Sequence, residues 1–344
     1  MRKKKPAIPG DFDLRAAVAQ MCHVSFPGDE WNPMLETLLK KYRVGGLIFY
    51  SENVAGKVSQ VKKLTSKIKS TAVKTGFGLQ PFISVDEEGG RVSRLGGLIG
   101  KFPSQMEAAE ITKKNALQRH YKELYTKVAE LGFNVDWSPV LDINTNPNNP
   151  IVGDRAFSEE AESVVNCGKA AIQAARKAGL FTTAKHFPGH GDTSVDSHKI
   201  LPVLKTTGPK LKERELKPFK MAIREKVDII MTAHILMQKI DPSHPVTFSE
   251  KFLKKMLRKD LKFKGLIITD DLNMGAAANH FSLNERISMS VNAGADILMI
   301  RADYRGTVDF LETFISQVQD GTIPFDRVKE SLARITKIKR NGRP

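Results

Sequence analysis

The stretch Ala184-Lys-His-Phe-Pro-Gly-His-Gly-Asp-Thr-Ser-Val-Asp-Ser-His198 begins as the end of a strand and is then interrupted by Pro188, Gly189 and Gly191. It contains a lysine, three histidines and two aspartates. Titratable side chains on a Gly/Pro loop after a strand are typical of α/β enzymes, because the sheet holds a loop that can still reach a ligand. The segment therefore predicts an active-site loop at the carboxyl end of a strand.

Short apolar runs and longer amphipathic stretches alternate along the rest of the chain. The runs predict strands at Met21–Phe26, Gly46–Tyr50, Phe82–Asp86, Asn134–Pro139, Phe181–His186, Ile229–His234, Leu266–Asp270 and Ile297–Ile300. Helical patterns between them include Val58–Val73, Ala108–Leu131, Ala161–Ala178, Lys210–Glu225, Phe252–Lys259 and Leu283–Ala293. Near-continuous apolar strands are typical of a parallel sheet covered on both faces. Eight of them predict a single (β/α)8 TIM-type barrel, with a doubly wound sheet as the alternative.

Polar residues collect where these strands end, as the active-site rim of a barrel requires. Five strands contribute: the rim residues are Asp86, Asp142, Lys185 with His186, His234, and Asp270 with Asp271. The interiors of the same strands carry almost no such groups. This distribution predicts that the chemistry lies at one end of the barrel.

The chain shows no internal repeat and no obvious linker, which predicts one catalytic domain over residues 1–344 that ends in a basic helix, Phe325–Arg340. No run reaches the ~18 apolar residues of a membrane span. The basic start at Met1 has no apolar core behind it, so we expect a cytoplasmic protein; an exported or lipid-anchored protein with its signal removed is the alternative. Cys22 and Cys167 are predicted to be buried free thiols.

The formal net charge of +16 invites a nucleic-acid interpretation. The lysines, however, alternate with apolar positions at helical spacing, and few aromatic residues lie among them to stack on bases. We therefore expect solvated helix faces and no nucleic-acid partner, with attraction to an anionic cell-envelope polymer left open. The protein is expected to be a monomer.

The segment Asp86-Glu-Glu-Gly-Gly-Arg-Val-Ser-Arg94 follows the third predicted strand. Its paired glycines allow a tight turn and close approach of a ligand. Asp86, Arg91 and Arg94 are candidates for binding the hydroxyls of a polar ligand. The alternative is a surface turn with an internal ion pair.

The histidines and aspartates of the first segment also fit two other chemistries. His186, His190 and His198 with the neighbouring aspartates resemble metal ligands, but Pro188 excludes the helix that the spacing of the first pair would need. Lys185 at a strand end fits a Schiff-base nucleophile, but no phosphate-binding glycine loop accompanies it. We expect neither a metal nor an organic cofactor.

Asp196 and His198, two residues apart on an extended loop, can form a hydrogen bond. The carboxylate would then fix the imidazole tautomer and make a proton shuttle near neutral pH. Asp270, at the end of Leu266-Ile-Ile-Thr-Asp270, is a candidate nucleophile, while Asp271 is a candidate cap of the next turn. His234 either lines the same cavity or belongs to the core.

Taken together, these segments resemble family 3 glycoside hydrolases, in particular their β-N-acetylglucosaminidase branch. The resemblance is carried by Asp86 to Arg94, Gly153-Asp-Arg155-Ala-Phe157-Ser, Lys185-His186-Phe-Pro-Gly-His190-Gly-Asp-Thr, Asp196-Ser-His198 and Thr269-Asp270-Asp271-Leu-Asn-Met. It implies a retaining hydrolase of terminal β-linked N-acetylglucosamine. The family's substrates are often cell-wall muropeptides, in which this sugar precedes 1,6-anhydro-N-acetylmuramic acid.

The resemblance also implies roles for individual residues. Asp270 would be the nucleophile, and His198, oriented by Asp196, the general acid and base. The implied sugar-binding set is Asp86, Arg94, Arg155, Lys185 and His186. This sequence departs from the branch by Glu87 in place of a common Gln and by Ala156 in place of a frequent Ser. The alternatives are a phosphorylase on the same scaffold and a sugar-binding protein without turnover.

Overall fold

Eight parallel strands surround a common axis in the order in which they occur along the chain. The computed structural model describes residues 8–10, 12–75, 79–111 and 114–341. The strands are β1 Cys22–Val24, β2 Gly46–Phe49, β3 Phe82–Val85, β4 Val135–Asp136, β5 Thr183–Phe187, β6 Ile229–Thr232, β7 Leu266–Asp271 and β8 Ile297–Ile300. Their order in the sheet is β4-β3-β2-β1-β8-β7-β6-β5. Parallel bridges from Val135 to Phe181 and from Val140 to Lys185 connect the two end strands, so the sheet forms a nearly closed barrel and the predicted (β/α)8 fold is confirmed.

Helices cover the outside of the barrel. The longer α-helices described are α1 Leu14–Gln20, α2 Val58–Thr75, α3 Lys114–Glu130, α4 Ala161–Lys177, α5 Leu216–Arg224, α6 Leu283–Ala293, α7 Tyr304–Gln319 and α8 Phe325–Arg340. Short α-helical turns lie at Pro33–Glu36, Gly96–Ile99, Gln105–Ala109, Gly208–Glu213 and Gly275–Ala278. The chain also forms π-helices at Thr37–Tyr42 and Lys251–Asp260, and 3-10 turns at Ser51–Asn53, Gly153–Arg155 and Val246–Phe248.

Two small strand pairs lie outside the barrel sheet. Glu87–Gly89 pairs with Val92–Ser93 in an antiparallel hairpin directly after β3. Val203–Leu204 pairs in parallel with Leu236–Met237. Each pair therefore lies beyond the carboxyl end of a barrel strand, where it shapes the rim.

Three predicted elements differ from the structure. The predicted helix Ala108–Leu131 is divided, because one helical turn ends at Ala109 and α3 begins at Lys114; residues 112 and 113 lie outside the described residues. The predicted helix Lys210–Glu225 is also divided, at residues 214 and 215. Pro218 explains this second division, since a proline is tolerated in the first turn of a helix but not in its interior. The predicted strand Asn134–Pro139 shrinks to β4, because Pro139 cannot donate to a ladder.

The barrel is closed at its amino-terminal end by α8, the predicted basic helix. The Nζ of Lys339 donates to the side-chain oxygen of Gln20 at 2.9 Å and to the carbonyl of Gly45 at 2.7 Å. Burial lowers the pKa of Lys339 to about 7. The fully buried Asp296 binds Arg334 of α8 at 3.0 Å and Arg258 from outside that helix. These contacts fasten the C-terminal helix to the barrel, on the face opposite the predicted site.

Two further predictions concern burial. Cys22 and Cys167 are free and buried, as predicted, and burial raises the pKa of both thiols. Among the residues that the structure describes, no helix combines the length and the apolar character needed to cross a bilayer.

Candidate active site

A cavity of about 410 Å³ opens at the carboxyl end of the barrel strands. Seven of the eight predicted site residues line it: Asp86, Arg94, Arg155, Lys185, His186, His198 and Asp270. The eighth, Asp196, contacts the ring of His198. Tyr50, Trp137 and Met274 supply apolar and aromatic surface between the charged groups. The strand order thus brings together residues that lie far apart in the sequence.

A buried carboxylate, Glu88, organises the positive side of the cavity. The guanidinium of Arg155 binds it through Nε and Nη2, both at 2.8 Å, and the ammonium of Lys185 lies 2.7 Å away. Lys185 also binds Asp86 at 2.9 Å. Burial acts to raise the pKa of Glu88, but the positive charges of Arg155 and Lys185 outweigh it and lower the pKa. Glu88 is therefore ionised, and its ion pairs hold Arg155 and Lys185 in place.

The charge of Lys185 bears on the Schiff-base alternative. Burial acts to lower its pKa, but the charges of Asp86 and Glu88 outweigh burial and raise it. A Schiff base needs a neutral amine, so this lysine is unsuited to that chemistry. Its ion pairs suit it to hold its neighbours and a polar ligand.

Glu88 was not among the predicted site residues, although its position in the sequence carries a signal. Residues 87–89 are extended, so side chains two positions apart point to the same side. Asp86 and Glu88 accordingly both reach Lys185. Gly89 has a φ of +80° and a Cβ there would lie 2.1 Å from the carbonyl oxygen of Pro103, so the turn that presents Glu88 requires glycine.

Asp142 is the second residue whose role was missed. It is fully buried, and its Oδ2 accepts from Nδ1 of His186 at 2.7 Å while its Oδ1 accepts the N–H of His190 at 2.7 Å. Burial acts to raise the pKa of Asp142, but the charge and hydrogen bond of His186 lower it. Because the carboxylate holds the proton on Nδ1, the other ring nitrogen of His186 is left as an acceptor or a second donor for a ligand.

The hydrogen bonds of His186 and His190 bear on the metal-site alternative. Both ring nitrogens of His190 have partners, since Nε2 lies 3.1 Å from the hydroxyl of Ser197 and Nδ1 lies 3.0 Å from that of Thr193. Among the described residues, no group of three or more His, Cys, Asp or Glu side chains is arranged to hold a metal ion.

Asp270 and Asp271 have different environments at the end of β7. Oδ1 of Asp271 accepts the N–H groups of Asn273 at 2.9 Å and Arg301 at 3.0 Å, so it caps the turn. Burial raises the pKa of Asp271 to about 6. Oδ1 of Asp270 accepts only the N–H of Asp271, at 2.8 Å, among the described residues.

The charge state of Asp270 follows from its neighbours. Burial acts to raise its pKa, but the charge of His186 and the hydrogen bond from the N–H of Asp271 lower it. The carboxylate is therefore ionised at neutral pH, as a nucleophile must be. Of the two aspartates, Asp270 has the environment that suits attack on a ligand.

The predicted hydrogen bond between Asp196 and His198 is present. Oδ1 of Asp196 accepts from Nδ1 of His198 at 2.8 Å and also from its main-chain N–H at 2.8 Å. The His198 side chain is 61% exposed, at the mouth of the cavity. Since the carboxylate fixes Nδ1, Nε2 is left free to exchange a proton with a ligand.

Two arginines of the Asp86 segment have different uses. Arg91 binds Asp154 at 2.7 Å and the carbonyl of Ile151 at 2.6 Å, so its main contacts hold the loop around residues 151–154. Arg94 lines the cavity, and its Nε is buried without a partner among the described residues. A buried donor without a partner is costly, so Arg94 offers the stronger ligand contact.

Comparisons with known proteins show what this chain is similar to. The sequence profile described as "Glycosyl hydrolase family 3 N terminal domain" matches residues 13–338. The "Beta-hexosaminidase A" of Pseudoalteromonas piscicida is 33% identical over 337 residues, which cover 89% of this chain and 55% of that protein. The "Beta-hexosaminidase" of Idiomarina loihiensis is 32% identical, over 84% of this chain and 86% of that protein.

A solved structure gives the same answer for the fold. The family 3 β-N-acetylglucosaminidase of Paenibacillus sp. str. FPU-7 superposes with a TM-score of 0.92 at 32% identity, over 96% of this chain and 62% of that one. The chain thus spans less than two thirds of that protein and little more than half of the Pseudoalteromonas relative. With the profile match, these likenesses show that the chain belongs to glycosyl hydrolase family 3.

Proposed function

We propose that the protein is a retaining exo-β-N-acetylglucosaminidase that releases terminal N-acetylglucosamine, with cell-wall fragments as its substrates. The observation that carries the proposal is the cavity itself, which brings an ionised carboxylate, Asp270, together with the imidazole of the Asp196–His198 pair. The names of the relatives, beta-hexosaminidase and β-N-acetylglucosaminidase, support the sugar.

In the first step, Asp270 attacks the anomeric carbon while His198 donates the proton on Nε2 to the glycosidic oxygen. The bond from carbon to that oxygen breaks, the aglycone leaves as an alcohol, and the sugar is held as an ester of Asp270. Asp196 stabilises the imidazolium before the proton is transferred, because the Asp196 carboxylate is ionised. Burial acts to raise the pKa of Asp196, but the hydrogen bonds from His198 outweigh burial and lower it.

In the second step, His198 accepts a proton from water, and the resulting hydroxide attacks the anomeric carbon. The ester bond breaks, and Asp270 is released as a carboxylate. Two inversions give net retention. An imidazole suits both steps because its ordinary pKa of about 6.5 lies near neutral pH.

The remaining predicted residues bind the sugar in this proposal. Asp86, Lys185 and Arg155 are held by ion pairs in a fixed array around Glu88, and His186 is held by Asp142. Arg94 adds an Nε donor that has no partner within the described part of the chain. Preorganised polar groups of this kind orient hydroxyl and amide groups at little entropic cost.

The proposal also covers the domain organisation, the oligomeric state and the cellular compartment. All proposed site residues come from one barrel, which supports a single catalytic domain over residues 1–344 and a protein that acts as a monomer. The two buried free thiols are compatible with the predicted reducing, cytoplasmic compartment. Muropeptides remain the predicted natural substrates.

A phosphorylase is the second candidate, because the proposed acid/base is an imidazole and the cavity offers five cationic side chains beside four carboxylates. Five of its lining residues are Arg91, Arg94, Arg155, Lys185 and Arg301. An imidazole acid/base would not repel an incoming phosphate as a carboxylate would. Phosphate would then take the place of water in the second step.

One experiment separates the candidates: incubation with 4-nitrophenyl N-acetyl-β-glucosaminide, with and without phosphate, and identification of the sugar product. Free N-acetylglucosamine in both reactions supports the hydrolase. Sugar 1-phosphate that forms only with phosphate identifies a phosphorylase. No nitrophenol in either reaction, together with saturable sugar binding, overturns both and supports a binding protein.

A further inference from the structure

His234 is a buried titratable residue that the proposed mechanism does not use. It follows β6 and is 1% exposed. Its Nε2 lies 3.0 Å from the carbonyl oxygen of Asp271, and its Nδ1 lies 2.9 Å from the hydroxyl of Thr247. Thr247, in turn, lies 2.9 Å from the hydroxyl of Thr232, at the end of β6. Both threonines are fully buried.

The proton positions in this chain of hydrogen bonds are determined. A carbonyl oxygen can only accept, so Nε2 of His234 carries a proton. Burial lowers the pKa of His234, so the ring is neutral and its Nδ1 is an acceptor. The Thr247 hydroxyl therefore donates its single proton to Nδ1, with the carbonyl of Ala233, 3.1 Å away, as a second acceptor of the same proton. The Thr232 hydroxyl then donates to Thr247.

The hydrogen bond from His234 fixes Asp271, the residue next to the proposed nucleophile. The N–H of Asp271 donates to Oδ1 of Asp270 at 2.8 Å. The side chain of Asp271 is held by the N–H groups of Asn273 and Arg301. With His234 on its carbonyl, Asp271 is held at its N–H, its side chain and its C=O.

We propose that His234 and Thr247 are positioning residues that hold the Asp270–Asp271 turn so that the Asp270 carboxylate keeps its orientation for attack. The inference rests on the proposed role of Asp270 as nucleophile. Neither residue exchanges a proton with the substrate: the Asp271 carbonyl fixes the His234 tautomer, and the Thr247 hydroxyl holds the ring at Nδ1.

Loss of these hydrogen bonds should displace the nucleophile and should not remove a group that binds the sugar. Thr247→Val keeps the shape of the side chain but removes the donor to Nδ1, so the ring can rotate away from the Asp271 carbonyl. A misplacement of about 1 Å can cost about a hundred-fold in rate. Binding of the sugar by residues of β3, β4 and β5 and their loops should change little.

The test compares kcat and KM for 4-nitrophenyl N-acetyl-β-glucosaminide in four variants. For Thr247→Val and His234→Leu we expect kcat to fall about ten- to a hundred-fold, with KM within about two-fold of wild type. Thr247→Ser keeps the hydroxyl and His234→Gln can place an amide N–H near Nε2, so each should stay within about three-fold of wild type.

Thr65→Val is the matched control. Thr65 is a buried residue of α2 whose hydroxyl donates to the carbonyl of Leu131 at 2.8 Å, outside the cavity. The Thr65→Val variant should lose about as much thermal stability as Thr247→Val, and its kcat should equal that of the wild type. If Thr247→Val unfolds at the assay temperature, His234→Leu and His234→Gln provide the same comparison.

Two results overturn the inference in distinguishable ways. An active wild-type protein with full kcat in Thr247→Val, or with the same kcat loss in Thr65→Val, overturns the positioning role alone. A wild-type protein without turnover overturns the proposed function and this inference together.

Discussion

The main-chain N–H of Gly275 donates a hydrogen bond of 2.9 Å to the carbonyl oxygen of His198. Next to it, the N–H of Ala276 binds the carbonyl of Ser197 at 3.0 Å, and the side-chain amide of Asn279 binds that of Lys199 at 2.9 Å. The turn after β7, which presents Asp270, therefore also holds the loop that presents the Asp196–His198 pair. The two catalytic groups of the proposed mechanism are positioned by one piece of backbone.

We predict that Gly275→Ala lowers kcat by at least about ten-fold, because the loop that carries His198 must move. A Cβ at this position would lie 2.6 Å from the carbonyl oxygens of both His198 and Lys199. Steady-state kinetics on a nitrophenyl glycoside measure the effect. Gly97→Ala is the control, since a Cβ there meets nothing within 4 Å. Equal rates in the two variants would show that the contact does not position the loop.

We predict that Asp270→Asn abolishes turnover, by at least about a thousand-fold, while sugar binding persists. Asp271→Asn should keep kcat within about ten-fold, because an amide oxygen can still accept the N–H groups of Asn273 and Arg301. Single-turnover kinetics and calorimetric titration with N-acetylglucosamine separate the two effects. The reverse result, an active Asp270→Asn and an inactive Asp271→Asn, would reassign the nucleophile.

We predict that the decrease in rate caused by replacing His198 depends on the leaving group of the substrate. His198→Ala should lose about 10²- to 10⁴-fold in kcat/KM on an N-acetylglucosamine disaccharide, whose leaving oxygen must be protonated. The loss should be smaller on the nitrophenyl glycoside, because nitrophenolate leaves without a proton. Asp196→Asn should follow the same pattern to a lesser degree, since it keeps an acceptor for Nδ1. Equal losses on both substrates would remove His198 from the role of general acid.

We predict that Glu88→Gln weakens the fold and changes its response to acid. Breaking a buried ion pair typically costs about 3–5 kcal/mol. The folded-state pKa of Glu88 is lowered below the ordinary value of about 4.3. Its stabilisation is therefore fully present above about pH 4.3 and is lost progressively as the pH falls from there towards the lower folded-state pKa.

Urea denaturation between about pH 6 and pH 3 measures the free energy of unfolding as the carboxylates titrate. The wild type should lose stability more steeply below about pH 4.5 than Glu88→Gln, which cannot take up this proton. Asp196→Asn is a control at a more exposed carboxylate and should keep most of the wild-type slope. Parallel slopes in wild type and Glu88→Gln would contradict the assigned ionisation of Glu88.

Local sequence patterns were sufficient for the barrel and for one contact of the proposed site. Near-continuous apolar runs separated by helical periods identify buried parallel strands, because each pattern reports how one element is covered. The Asp196–His198 hydrogen bond was also predictable, since the partners are two residues apart and their geometry is local. Pro218, which divides one predicted helix, was a local signal that the prediction passed over.

The pairings across the cavity required the tertiary structure. Glu88 and Arg155 are 67 positions apart, and Asp142 and His186 are 44 apart, so their contact depends on strand order and on the inclination of each strand at the rim. The choice between Asp270 and Asp271 depended in the same way on Asn273, Arg301 and His234. Periodicity locates the strand ends, so the residues that reach the carboxyl end of the barrel could be read from the amino-acid order alone. Only the closed barrel decided which of them face one another, since electrostatic partners are chosen by distance in space and not along the chain.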